Sequence, residues 1–190
     1  MILAAVFFYG LMGGIGLLLI AWRPEHRHLF QPGAMPGSDW PVWACVTAAL
    51  VFSVNLLTRL GLRYSPSLRR IAADVLEGFR GLNTTRLLTL AVLSGICEEL
   101  FFRGWLLNEV DLVASSLIFG AVHIPPARHW IAWPLFATVL GFALGAMCIE
   151  SGTLVFAILA HTGINGANLA LLANGPRRVT VNLRAGPEIP

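Results

Sequence analysis

The chain has 190 residues, of which 56% are hydrophobic and only 12% charged, and its mean hydropathy is +0.73. A soluble domain needs more polar surface than this, so the composition excludes an ordinary water-soluble globule and points to an all-α, polytopic membrane bundle. The net charge of +3 calls for no nucleic-acid partner: all 13 basic residues are arginine, and they sit where membrane topology uses them.

About 20 apolar residues cross a bilayer as a helix. On that measure the sequence predicts about six spans, near 1–22, 41–61, 87–107, 112–124, 130–149 and 153–173. The first run lacks a basic start and a small-x-small cleavage site, so it reads as a retained span and not as a signal peptide. The "HRH" of His26, Arg27 and His28 that follows reads as a solvated loop. Between the second and third spans, "SPSLRRIAADVLEGFRG" predicts an interfacial amphipathic helix. Leu68, Ile71, Val75, Leu76 and Phe79 share one face, Arg69, Arg70, Asp74, Glu77 and Arg80 the other, and Ser65 with Pro66 starts it. The fourth span is short and must be tilted, shielded by protein or partly re-entrant. Gly141, Gly145 and Gly152 read as points of close helix approach. Cys45, Cys97 and Cys148 lie in apolar segments without CxxC spacing and read as small buried hydrophobes. The whole forms a single transmembrane domain over 1–173, with a polar cytoplasmic tail over 174–190.

Arginine placement sets the direction. Arg59, Arg63, Arg69, Arg70, Arg80, Arg86, Arg128, Arg177, Arg178 and Arg184 fall on one side of a six-span arrangement, and only Arg23 and Arg27 on the other. The positive-inside rule then puts both termini in the cytoplasm of a multi-pass cell-membrane protein. Trp22, Trp40, Trp43 and Trp105 belong to the outer interface, Trp130 and Trp133 to the inner one.

The third span holds "GICEELFFRGW", with Glu98, Glu99 and Arg103 in otherwise lipid-soluble sequence. A charge at mid-membrane costs a few kcal/mol, so such groups face a protein interior and have partners. Glu99 and Arg103 are four apart, in the favourable acid-first order, and predict an ion pair that locks the helix. Glu98 lies about 100° around the helix, beside Ser94 and Phe102, and is left free for chemistry. "FGAVH" places Phe119 and His123 one turn apart on the fourth span, and "HTGIN" places His161 and Asn165 one turn apart on the sixth, with Asn168 beyond them. A carboxylate, two imidazoles and an amide on three spans need one shared, water-accessible pocket. Phe119 reads as packing at its wall. Asn168, and Glu150 at the end of the fifth span, read as interfacial or structural.

Those three motifs, E-E-x-x-x-R at Glu98, Glu99 and Arg103, F-x-x-x-H at Phe119 and His123, and H-x-x-x-N at His161 and Asn165, resemble the CPBP intramembrane proteases (type II CAAX-processing, or Abi, proteases). The resemblance covers about residues 87–172; the first two spans match only in being apolar. It implies a membrane-embedded endopeptidase in which Glu98 activates water, His123 holds or polarises that water, and His161 and Asn165 donate to the oxyanion. It also implies a membrane-associated peptide or protein substrate of the CAAX, leader or C-terminal sorting-tail kind. Members of the family have been described both as glutamic proteases and as metalloproteases. Metal-free glutamic catalysis without a cofactor is the favoured reading here, because Asn165 is a poor zinc ligand and a good oxyanion donor. Its competitor is a zinc site of Glu98, His123 and His161 with water in the fourth position. Serine and aspartyl types fit badly: "AVLSGI" and "VASSLI" lack a Gly-x-Ser nucleophile, and Asp39, Asp74 and Asp111 sit at span ends or in loops. The alternative from another class is a non-catalytic membrane scaffold or immunity protein.

Overall fold

An apolar helix that buries few of its side chains in protein needs another apolar medium around it. Helix α1 (Ile2–Trp22) is of this kind: Gly13, Gly16 and Ile20 are buried, while Leu3, Phe7, Phe8, Leu18 and Trp22 stand exposed. Helix α2 (Trp40–Tyr64) likewise buries only Thr47 and Val54 and exposes Phe52 and Leu57. Helices α7 (Ala132–Ser151) and α8 (Val155–Asn174) bury more but keep the same apolar character. These four are the helices among the described residues that are long and apolar enough to cross a membrane. The structure, a computed structural model, describes residues 2–23, 25–26, 39–123 and 130–174 and is a helical membrane bundle; strands are absent among the described residues. Arg27, His28, Arg128, His129 and the tail from residue 175 lie outside them.

The other two expected spans differ in kind. Helix α4 (Thr84–Phe101) has 18 residues but carries Arg86, Glu98 and Glu99, so length and composition alone do not mark it as a span. Helix α6 (Leu112–Ala121) has ten residues, about 15 Å at 1.5 Å per residue and half of a hydrocarbon core. It packs along α7 and buries Ser115, Ser116, Phe119 and Gly120, so protein shields it. Between α4 and α6 the chain runs through a five-residue π-helix, Phe102–Leu106, and a single turn, α5 (Leu107–Glu109).

Helix α3 (Pro66–Gly78) is the expected amphipathic helix. The Ser65 hydroxyl accepts from the Leu68 amide at 3.3 Å, Pro66 takes the first helical position, and Ile71 and Ala72 are buried. Trp130 Nε1 donates to Asp74 Oδ2 at 2.9 Å and ties α3 to the chain leading into α7. At the other end of the bundle, Glu109 Oε1 meets Arg23 Nε at 3.1 Å and lies 3.9 Å from His26 Nε2. His26 is therefore buried against the end of α5, not part of a solvated loop.

Helix α4 is the central element, flanked by α1 and α8. The two backbones of α4 and α8 come so close that a Cβ on Gly95 would lie 2.8 Å from the Thr162 nitrogen. Gly166 faces Ala91 further along, so residue numbers rise on one helix as they fall on the other and the pair is antiparallel. Gly141 meets α6 at Ser116, as a close-approach glycine should. Gly152 has open space around it; its φ of +66° instead ends α7 in the left-handed conformation and turns the chain into α8.

Candidate active site

Adjacent carboxylates on one helix point about 100° apart, so Glu98 and Glu99 serve different neighbours. Glu99 is fully buried. Arg103 Nη1 donates to its Oε1 at 2.8 Å, the predicted ion pair, and Arg103 Nη2 donates to the Gly141 carbonyl of α7 at 3.1 Å. The guanidinium also lies over the Phe119 ring, 4.4 Å from its centre. The same Oε1 of Glu99 is 2.7 Å from His161 Nδ1. Glu99 is thus more than a brace within α4: it joins Arg103 to the imidazole on α8.

Glu98, His123 and His161 come together as the sequence suggested. Glu98 Oε2 is 3.8 Å from His123 Nε2 and 3.9 Å from His161 Nε2, and it is buried without a hydrogen-bond partner. The opposite edge of each ring is already engaged. His123 Nδ1 lies 2.6 Å from the Phe119 carbonyl, which can only accept, so that nitrogen carries a proton. Glu99 Oε1 accepts from Arg103 and serves His161 Nδ1 as an acceptor too, so that nitrogen carries a proton as well. Both Nε2 atoms therefore face Glu98 as acceptors whenever their rings are neutral. With both rings neutral, three acceptors converge on one space and suit a donor there; with the His161 ring protonated, its Nε2 becomes a donor instead.

Phe119 holds this arrangement together. Its ring is almost wholly buried, 4.7 Å from the His123 ring, 5.9 Å from that of His161 and edge-on to Phe102 at 4.9 Å. Asn165 stands one turn from His161 and meets α4 one turn from Glu98, where its Nδ2 donates to Ser94 Oγ at 2.9 Å. Beside this pair opens a cavity of about 350 Å³, lined by Tyr9, Ser94, Trp133, Phe136, Asn165 and Asn168 among others, with the apolar face of α3 on one side. Glu150 lies at the far end of α7 and takes no part. Two partners lie outside the set that the motifs single out, Ser94 and the Gly141 carbonyl. A serine four residues before Glu98 on an apolar helix is a signal for the first; a backbone carbonyl gives none. Among the described residues no three His, Cys, Asp or Glu side chains close into a metal-holding group.

Residues 80–167 match the family model described as Type II CAAX prenyl endopeptidase Rce1-like, and that segment contains Glu98, Glu99, Arg103, Phe119, His123, His161 and Asn165. The resemblance carried by the three motifs therefore holds for this part of the chain. The Bacillus subtilis (strain 168) "Uncharacterized protein YpbD" is 35% identical over 72 residues, which is 38% of this chain and 38% of that protein. No solved structure matches the chain.

Proposed function

We propose that the chain is an intramembrane endopeptidase that hydrolyses a peptide bond in a membrane-associated protein or peptide, with Glu98 as general base. One observation carries this reading: a buried carboxylate oxygen without a partner, faced at 3.8 and 3.9 Å by two imidazole nitrogens whose other edges are fixed. A water in that space has two protons to give, one to Glu98 Oε2 and one to His123 Nε2. Its oxygen lone pair is then left for the scissile carbonyl carbon. As the C–O bond forms, the proton passes to Glu98 and the carbonyl electrons move onto oxygen. Asn165 Nδ2 donates to that oxyanion, and so does His161 Nε2 in a ring that enters and leaves the step doubly protonated, its charge offset by the Glu99 carboxylate. Glu98 then returns the proton to the leaving amine as the C–N bond breaks. No cofactor enters this scheme. The substrate is of the CAAX, leader or C-terminal sorting-tail kind, reached within a six-span fold with both termini in the cytoplasm.

The engaged Nδ1 edges favour a second reading, since a metal-ligating histidine also donates its other ring N–H to a carboxylate or carbonyl. Glu98, His123 and His161 would then be the ligands of a zinc ion supplying Lewis-acid polarisation and an acidified water, although as they stand the three do not close into a metal-holding group. The test is cleavage of membrane-anchored peptides by purified protein in detergent, wild type against Glu98→Gln, with and without a strong zinc chelator. Cleavage that needs Glu98 and survives chelation supports the glutamic reading. Loss on chelation with rescue by zinc supports the metal one. Full proteolysis by Glu98→Gln overturns both.

A further inference from the structure

We infer that Ser94 is a positioning residue for Asn165, fixing which edge of that amide faces the reacting carbonyl; the inference rests on the proposed function. The hydroxyl of Ser94 has one proton, and it is committed to the Ala91 carbonyl at 3.2 Å within α4. Toward α8 the Ser94 oxygen can therefore only accept. An amide presents either an acceptor or two donors, and only the donor edge suits such a neighbour. Asn165 accordingly turns Nδ2 to Ser94 at 2.9 Å, and the second N–H on that nitrogen stays available. Without Ser94 the amide can rotate by half a turn and present its oxygen, which would repel an oxyanion where a donor is needed.

The location suits the task. Ser94 is buried, four residues before Glu98, and Asn165 is four residues after His161 on the antiparallel partner. The pair therefore forms a rung about 6 Å along the helices from the Glu98–His161 approach. Both residues line the 350 Å³ cavity, so this rung borders space that a substrate can occupy. A purely structural link between helices would have no need to border it.

The experiment uses the full-length protein with a membrane-anchored peptide that the wild type cleaves. Ser94→Ala is expected to lower kcat about tenfold, the effect of one mispositioned neutral donor, with KM within about twofold. Ser94→Thr, which keeps the hydroxyl, is expected to restore most of it. Asn165→Ala combined with Ser94→Ala is expected to be no slower than Asn165→Ala alone, because Ser94 acts through that amide. A substrate-free measurement runs beside it: the side-chain NH₂ resonances of Asn165, identified by their loss in Asn165→Asp, should show one slowly exchanging proton that Ser94→Ala releases. Additive kinetic losses, or an Asn165 amide unchanged by Ser94→Ala, overturn the inference. Cleavage that needs Glu98 but is indifferent to Asn165 removes Asn165 from the proposed mechanism, and the NMR result then decides the positioning separately.

Discussion

Removing the charge from Glu99 tests the site at its most buried point. Glu99 is 0% and Arg103 1% exposed, so the pair has no water to fall back on. Deleting one partner of a buried ion pair costs about 3–5 kcal/mol, chiefly because the other charge is stranded. Arg103 would keep its bond to the Gly141 carbonyl and its place over Phe119, which puts Glu99→Leu near the lower end, about 3 kcal/mol. The double variant Glu99→Leu, Arg103→Met strands no charge, and the Gly141 carbonyl lies within a helix that offers its own partner. Thermal unfolding in detergent should therefore show a large fall in Tm for the single variant and recovery of most of it in the double. Activity should not recover. His161 loses the carboxylate that holds its Nδ1 proton, and the fall in kcat should lie between about 10²- and 10⁴-fold in both variants. A double variant no more stable than the single would refute the charge-compensation argument. A double variant with wild-type kcat would refute the role of Glu99 in supporting His161.

Two further variants separate chemistry from scaffold. Glu98→Gln keeps the shape of a side chain whose Oε2 makes no hydrogen bond, so Tm should change little while kcat falls by about 10³-fold or more; matched melting and cleavage assays check both. Phe119→Leu removes the ring on which Arg103, His123 and His161 rest, and should lower stability by about 1–3 kcal/mol and kcat with it, whereas Phe119→Tyr tests whether a hydroxyl fits among those neighbours at all.

The sequence made the apolar runs, the i,i+4 ion pair and the face shared by His161 and Asn165 legible, because each follows from helical periodicity alone. The amphipathic α3 was equally plain, down to the Ser65 cap. The remainder depended on which helices meet. Glu99 touching His161 is a contact between α4 and α8 across 62 positions, and no spacing within either helix encodes it. Ser94 shares a face with Glu98, but the spacing of α4 does not say that an amide from α8 is placed against it. The π-helix after Phe101 was hidden for another reason: its residues read as an ordinary continuation of the span, and the wider turn shows only in the backbone. His26 looked solvated because its partner, Glu109, comes from the end of a different segment.

The register of α4 against α8 is what makes these contacts simultaneous. Glu99 meets His161 and Ser94 meets Asn165, and a slide of one turn, about 5.4 Å, would break both. Between the two contacts lies Gly95, packed directly on the backbone of Thr162. A Cβ at Gly95 would stand 2.8 Å from the Thr162 nitrogen and 2.9 Å from its Cα, and a backbone cannot yield as a side-chain end can. Gly95→Ala must therefore push α8 outward and stretch the hydrogen bonds on either side. The expected result is a loss of about 1–3 kcal/mol together with a drop in kcat, whatever the substrate. Gly166→Ala is the control on the same helix pair: its Cβ would sit 3.9 Å from Ala91 Cβ and Leu88 Cδ2, an ordinary contact. There the gain in helix propensity, roughly 0.5–1 kcal/mol, should leave Tm unchanged or raised and activity intact. If Gly95→Ala proves as stable and as active as Gly166→Ala, the close approach of α4 and α8 does not set the geometry of the site, and the case for Glu99 and Ser94 as its supports fails with it.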